Sequence, residues 1–456
     1  MWGFWQPMNL KRKTLNRWSA ALSAAAVLAA AVQAPAQSVD ALLDKLVEKG
    51  ILTTDEAQQM RAEATPKAAP GHSIATGFPD WVTSFKIGGD FRGRFEDFTA
   101  DNSAYTDRVR LRYRLRVGAT VTFKENLELG LRFASADPAP GTGYGGNPVS
   151  NNTTLQDNGT KKFLYIDAAY GRWRPIHDDD WQVITTVGKM DQPFQSSSMV
   201  FDPDYTPEGA AGQVAYKLST HHTLRFNTAA FVLDELSGST QDPFLYGGQL
   251  LWDAKWSPRV SSAIGVTALN LVNKLGLPNS AVSNVNDGNT RDANGNLAYN
   301  FNPIVAGASA TYRFDHAPLF RGEFPVKLGG EYLNNPGAPS ANEGWWAGVT
   351  FGQAARKGTW EVSYRYQRLE ADAWYEELVD DDNAAYYRSP VAGSGFTGGG
   401  IRGGTNVKGH LVKASYALAD ALTLSVTAYL NELIKPSPGD SKSEAVHFMA
   451  DVLWKF

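Results

Sequence analysis

Between Arg108 and Val117 every second residue but one is a large apolar group and every other is arginine, in the run RVRLRYRLRV. On an extended strand Arg108, Arg110, Arg112, Arg114 and Arg116 share one face, while Val109, Leu111, Tyr113, Leu115 and Val117 share the other. A helix would scatter both sets around its circumference. Few soluble sheets would line up five like charges on one face, because adjacent like charges repel. A wall with lipid on one side and water on the other accommodates both faces, and period-two alternation over about ten residues is the signature of a membrane barrel.

The same period begins at Ser84, where Phe85, Ile87, Phe91 and Phe95 alternate with Lys86, Asp90, Arg92, Arg94 and Glu96. After these two strands it recurs near 127 to 136, 162 to 173, 181 to 189, 210 to 218, 222 to 233, 244 to 256 and 259 to 270. It continues near 303 to 314, 323 to 333, 343 to 353, 358 to 369, 406 to 418, 421 to 432 and 444 to 456. The expected fold is therefore all-β, a transmembrane antiparallel up-and-down barrel of about 16 strands. An even number sets both ends of the barrel on the periplasmic side. Short links at 124 to 126, 257 to 259 and 419 to 420 alternate with long polar ones at 137 to 161, 190 to 209, 271 to 302 and 370 to 405. The short links are assigned to the periplasm and the long ones to the outside. The turn from Asp315 to Gly322 is longer than this scheme expects.

Ahead of the barrel, Lys11, Arg12, Lys13 and Arg17 precede an apolar run from Trp18 to Val32. This is a secretory signal pattern, about 15 apolar residues against the roughly 20 of a spanning helix. Ala34-Pro35-Ala36 offers cleavage after Ala36, with Ala34 as the alternative, and Met8 is an alternative start. The domains expected are a signal peptide over 1–36, a helical hairpin over 37–64, a linker over 65–83 and the barrel over 84–456. In the hairpin, Val39, Leu42, Leu43, Leu46 and Val47 fall at helical spacing and Gly50 ends the first helix. Thr53 and Glu56 form a capping box for the second. It resembles short helical modules that tether or assemble proteins, with a solvated spacer as the other reading.

No later stretch of 18 uncharged apolar residues exists, which excludes a helical membrane protein. Removing the signal's four basic residues takes the formal net charge from -4 to -8, so no nucleic-acid partner is expected. The chain ends Val446, Phe448, Ala450, Val452, Trp454, Phe456 on one face. A C-terminal Phe on an alternating strand is the signal read by the barrel-assembly machinery, so Trp454 and Phe456 are the candidate assembly signal. The aromatic content of 12% supports girdles at the two lipid headgroup levels.

Five segments together resemble the putative porin family of Gram-negative bacteria: Ala41 to Glu56 (ALLDKLVEKGILTTDE), Arg108 to Gly118 (RVRLRYRLRVG), Leu127 to Arg132 (LELGLR), Gly188 to Phe194 (GKMDQPF) and Phe201 to Gly209 (FDPDYTPEG). The resemblance runs over nearly the whole mature length. It implies an outer-membrane pore, leaves the solute open, and makes a homotrimer the expected assembly.

The residues then suggest a water-filled channel for passive diffusion of small polar or charged solutes, with an anion bias. Arg108, Arg110, Arg112, Arg114 and Arg116, with Asp90, Arg92 and Arg94, are the candidate pore-lining residues. A salt-bridge lattice using Asp90, Glu128 and Asp167 is the competing structural reading of the ladder. The third external connection carries Asp191, Asp202, Asp204 and Glu208, candidates for a constriction loop folded into the lumen, where an acidic loop facing a positive wall would set up a transverse field. The alternative is an exposed loop tip. Asp178-Asp179-Asp180 and Asp380-Asp381-Asp382 lack spaced metal-ligand patterns and are taken as solvated turns. No cofactor, metal or catalytic residue is expected. A dedicated anion channel or exporter of the same fold is the runner-up, and an outer-membrane hydrolase a remote one, since the seven His show no triad arrangement. Only about 47 residues separate the signal from the first strand, too few for the plug of an energy-coupled transporter.

Overall fold

The computed structural model describes residues 79–139, 145–282, 287–389, 392–393, 398–436 and 442–456. The expected signal peptide, helical hairpin and most of the linker lie outside these residues.

Sixteen long strands run antiparallel in sequence order, each bonded to the next. They are β1 (Val82–Ala100), β2 (Arg108–Phe123), β3 (Leu127–Ser135), β4 (Leu164–His177), β5 (Trp181–Lys189), β6 (Glu208–Lys217), β7 (His222–Val232) and β8 (Phe244–Lys255), followed by β9 (Val260–Val272), β10 (Ile304–Phe314), β11 (Phe324–Asn334), β12 (Glu343–Gly352), β13 (Trp360–Leu369), β14 (Val407–Ala419), β15 (Leu422–Leu433) and β16 (Ala445–Lys455). The sheet closes on itself: β1 pairs with β2 on one side and with β16 on the other, from Asp90 opposite Lys455 to Ala100 opposite Ala445. Closure leaves no strand edge to face lipid, where an unpaired backbone group costs several kcal/mol. The expected barrel and its strand count are borne out.

Side-chain parity follows the sequence alternation. Leu111, Leu129, Ile166, Leu250, Val266 and Leu328 point outward and are exposed on the single chain. Their strand neighbours Arg112, Asp167, Gln249, Leu251 and Thr267 are buried inside. With lipid outside, the inverse arrangement would set arginines in hydrocarbon at about 2–4 kcal/mol each near the midplane. One bulge refines the pattern: Ala168 pairs with Arg132 and Ile166 with Phe133, so Asp167 is the extra residue and turns toward Arg132.

At one end the strands join by tight turns. Glu125 and Asn126 adopt φ of 63° and 62° to reverse β2 into β3. At the seam, a Cβ on Gly89 would lie 2.1 Å from the Arg116 carbonyl oxygen, so this close approach needs glycine. The opposite end carries the long loops, of which L3 (190–207), L5 (273–303) and L7 (370–406) fold inward. Their apolar residues form one buried cluster with inward side chains of the strands: Phe194, Met199 and Phe201 from L3, Leu297 and Phe301 from L5, Trp374 and Leu378 from L7, against Phe231, Leu245, Leu333 and Leu369. The apolar mass lies against strands β6 to β11 and the end of β13. A cavity lined mainly by polar side chains lies along β1, β2 and β13 to β16.

Candidate pore constriction

L3 crosses the interior from wall to wall. Near its start Asp191 accepts a hydrogen bond of 2.7 Å from Arg132 on β3. In mid-loop the Gln195 amide donates to Gln249 on β8 at 2.9 Å, and the Ser197 amide donates to the Glu331 carboxylate on β11 at 3.1 Å. Arg365 on β13 reaches the Ser198 hydroxyl at 3.1 Å. The loop then returns to β2, where Asp204 accepts from Arg114 at 3.0 Å. L7 locks it from above: Trp374 Nε1 donates to the Val200 carbonyl at 2.8 Å, Asp202 N to the Leu378 carbonyl at 2.8 Å and Asp380 N to the Ser198 carbonyl at 3.0 Å.

The arginine ladder faces this loop but is largely paired. Arg114 and Arg116 share Asp90 at 2.8 and 2.7 Å, and both also face Asp204. Arg110 bonds Glu96 at 2.5 Å, and Arg112 lies 3.6 Å from Glu96 and 3.5 Å from Asp137. Arg94 holds Asp451 at 2.8 Å and Asp382 at 3.1 Å. Arg108 is exposed at the strand's outer end. Of the three counter-charges named from sequence, Asp90 alone serves the ladder. Asp167 pairs with Arg132, and Glu128 with Arg172 and Arg174 at 2.9 and 2.8 Å. The reason is register: Glu128 sits opposite Arg172 across β3 and β4.

Between the paired wall and the loops lies a cavity of about 370 Å3. Arg92, Arg94 and Arg114 line one side, Asp202, Asp204, Asp380, Asp381 and Asp382 the loop side, and Arg365 and Lys413 the β13–β14 side. The acids fall into two classes. Burial works against ionisation in all of them, but Arg114, Arg92 and Arg116 overcome it at Asp204 and hold that carboxyl below its usual range. At Asp382, Arg94 and its neighbours do the same. At Asp202 and Asp381 burial, reinforced by neighbouring acids, prevails and pushes both well above the usual range, in spite of Arg112 at Asp381; Asp380 is raised in the same way in spite of Arg365.

Among the acids named from sequence, Asp202 and Asp204 enter the cavity while Asp191 anchors the loop at its exposed base. Glu208 is instead the first residue of β6, with a mostly exposed side chain bonded to Lys189 at 3.1 Å. The run Asp380-Asp381-Asp382 is no solvated turn: Asp380 is buried, and all three line the cavity. Asp178 to Asp180 do form an exposed turn, capped by Asp178 Oδ1 accepting from Asp180 N and Trp181 N. At the seam, Trp454 packs on Phe91 and Phe456 exchanges backbone hydrogen bonds with Gly89 at 2.9 and 3.1 Å. Sequence reasoning assigned no site role to Glu96, Asp451, Arg365 or L7. Inward parity alone marked Glu96 and Asp451.

Residues 99–297 match the family described as "Putative porin". The resemblance drawn from the sequence is thus borne out over the stretch that holds four of its five segments. No curated protein matches the chain. Among solved structures, OprB of Pseudomonas putida is similar at 12% identity over 82% of this chain and 94% of that one, with a TM-score of 0.49. A mutant porin of Rhodopseudomonas blastica matches at 12% identity over 82% and 100%, with a TM-score of 0.40. A loop-deletion mutant of OmpT from Vibrio cholerae matches at 10% identity over 83% and 100%, with a TM-score of 0.42. The family match and the closed barrel with its apolar outer face indicate a porin channel of the bacterial outer membrane.

Proposed function

We propose that this chain is a passive channel in which L3 and the arginine wall together select small polar or charged solutes, with a weak anion bias. The observation that carries this reading is the course of L3 from β3 to β13 and back to β2, which leaves a charged cavity of about 370 Å3 beside it. Fixed charges at the narrowest point set ion selectivity, and here both signs line one gap. The bias is weak because Arg110, Arg112, Arg114 and Arg116 each have a carboxylate nearby. The constriction roles of Asp202 and Asp204, and the pore-lining roles of Asp90, Arg92, Arg94 and the ladder, belong to this proposal.

Export through a signal peptide cleaved near Ala36, insertion by the assembly machinery through the Phe456 end, and a homotrimer embedded in outer-membrane lipid complete it. Single-channel recording in planar bilayers, with reversal potentials in a salt gradient, tests the core of the reading. Ohmic unitary currents with a small anion preference are expected. A barrel that inserts and passes no current refutes it.

A further inference from the structure

Two arginines in the constriction differ from all the paired ones around them. Arg92, on β1, donates to the neutral Asn152 Oδ1 at 2.7 Å, and Arg365, on β13, donates to the neutral Ser198 Oγ at 3.1 Å. Among the described residues neither has a carboxylate oxygen within the 4.0 Å of an ion pair. The Nε of each is buried and without a hydrogen-bond partner. Arg365 is further held over the Trp346 ring, 5.7 Å from its centroid, and Trp346 in turn bonds Glu331 at 2.9 Å. Both guanidiniums line the same cavity, one from each side of it, together with the hydroxyls of Ser150 and Ser198.

A guanidinium offers five N–H donors in a planar fork, and a carboxylate or phosphate oxygen pair is its natural complement. Removing such a group from bulk water without an anionic partner is costly, so a desolvated, unpaired arginine is poised for an anion. The neighbouring charges do not cancel the pair. Arg94 and Arg114 are already matched by Asp451, Asp382, Asp90 and Asp204. At Asp202, Asp381 and Asp380 burial and the mutual repulsion of the acids favour the neutral forms, against the pull of Arg112 at Asp381 and of Arg365 at Asp380.

We infer that Arg92 and Arg365 form an oxyanion-binding station in the constriction, taking a small carboxylate or inorganic phosphate as it crosses. This rests on the channel reading and deepens it: the ladder sets the field of the wall, whereas the two unpaired arginines bind. A station gives a saturable current, while a mere field does not.

The test uses the full-length protein in planar bilayers bathed in potassium chloride, with inorganic phosphate or acetate titrated in separate arms. Chloride current through the wild-type channel is expected to fall to a plateau with one or both probes, the stronger arm identifying the oxyanion preferred. Arg92→Gln and Arg365→Gln, each measured alone, should raise the half-blocking concentration about tenfold, the loss of one charge-assisted contact. Arg259→Gln, on the turn between β8 and β9, removes the same charge away from the cavity and should leave the block unchanged. Chloride current that neither probe brings to a plateau, or a plateau unmoved in both variants, overturns the station and leaves the channel intact. No unitary conductance at all overturns the channel reading instead.

Discussion

Trp374 is the largest side chain through which L7 holds the constriction loop, and its removal tests whether loop packing sets the bore. The indole is fully buried, packs edge-on against Phe201 and Phe301 with centroids 6.1 and 6.4 Å away, and bonds the Val200 carbonyl at 2.8 Å. Truncating a buried tryptophan to alanine costs about 3–5 kcal/mol, and the lost hydrogen bond adds about 1 kcal/mol. In this barrel the cost falls on the contact between L3 and L7, because the strand ladder is untouched. L3 keeps Ser197 on Glu331 and Asp204 on Arg114, on either side of Val200, so it stays tethered and loosens between those two contacts. Trp374→Ala should therefore insert normally, shift on gels with heat as the wild type does, and give unitary currents that are larger and noisier when open. Trp374→Phe keeps most of the ring packing and loses only the donor, so its current should lie near that of the wild type. A correctly inserted Trp374→Ala channel with wild-type conductance and noise would refute the argument.

Replacing Arg112 and Arg114 by Gln strips two cations from the wall and leaves Glu96 to Arg110 and Asp204 to Arg116; the anion-to-cation permeability ratio should drop, and an unchanged reversal potential counts against a selective wall. Deleting Phe456 removes the two backbone bonds to Gly89 and the C-terminal aromatic, so heat-modifiable barrel in the membrane should decline; equal levels in both strains reject the assembly role. Glu376, buried in L7 and 2.6 Å from Arg291 of L5, has its carboxyl lifted by burial to about 7 in spite of that pair. A raised acid contributes stability that is complete below its unfolded value near 4.5 and is lost as pH climbs through 7, about 3 kcal/mol in all. Proteolysis of L5 and L7 should accelerate between pH 5 and about 8, and Glu376→Gln should flatten the profile.

The strands were legible because lipid and water impose opposite demands on alternate residues, so parity alone placed Arg112 inside and Leu111 outside. Which loops turn inward was harder to read. The tripeptide Asp-Asp-Asp occurs twice with opposite fates: at 178–180 it caps a tight exposed turn, and at 380–382 it lines the cavity. Local composition cannot separate them, since the difference lies in Trp374 and Leu378 docking on L3 from far along the chain. The ladder's partners were half legible for a related reason. Asp90 lies on the adjacent strand at matching depth, whereas Asp204 reaches Arg114 only because a loop crosses the barrel.

The one-sided apolar cluster of L3, L5 and L7 has a consequence for how such a channel can diversify. Strand number fixes the outer ring, but the clear width is whatever the packed loop side chains leave over. Phe194 and Phe301 are buried within that packed mass, so exchanging them for smaller residues would loosen the loops without altering the barrel that the lipid meets. The cavity beside L3 draws its strand-borne charges from Arg92, Arg94, Arg114, Arg365, Lys413 and Asp451, so at that level the fixed charge lies on the arc of β1, β2 and β13 to β16. The opposite arc, from β6 to β11, carries the packed apolar side chains of the loops. At the level of L3, packing and charge thereby fall on separate parts of one wall, so a substitution among the packed side chains leaves the charged ones in place.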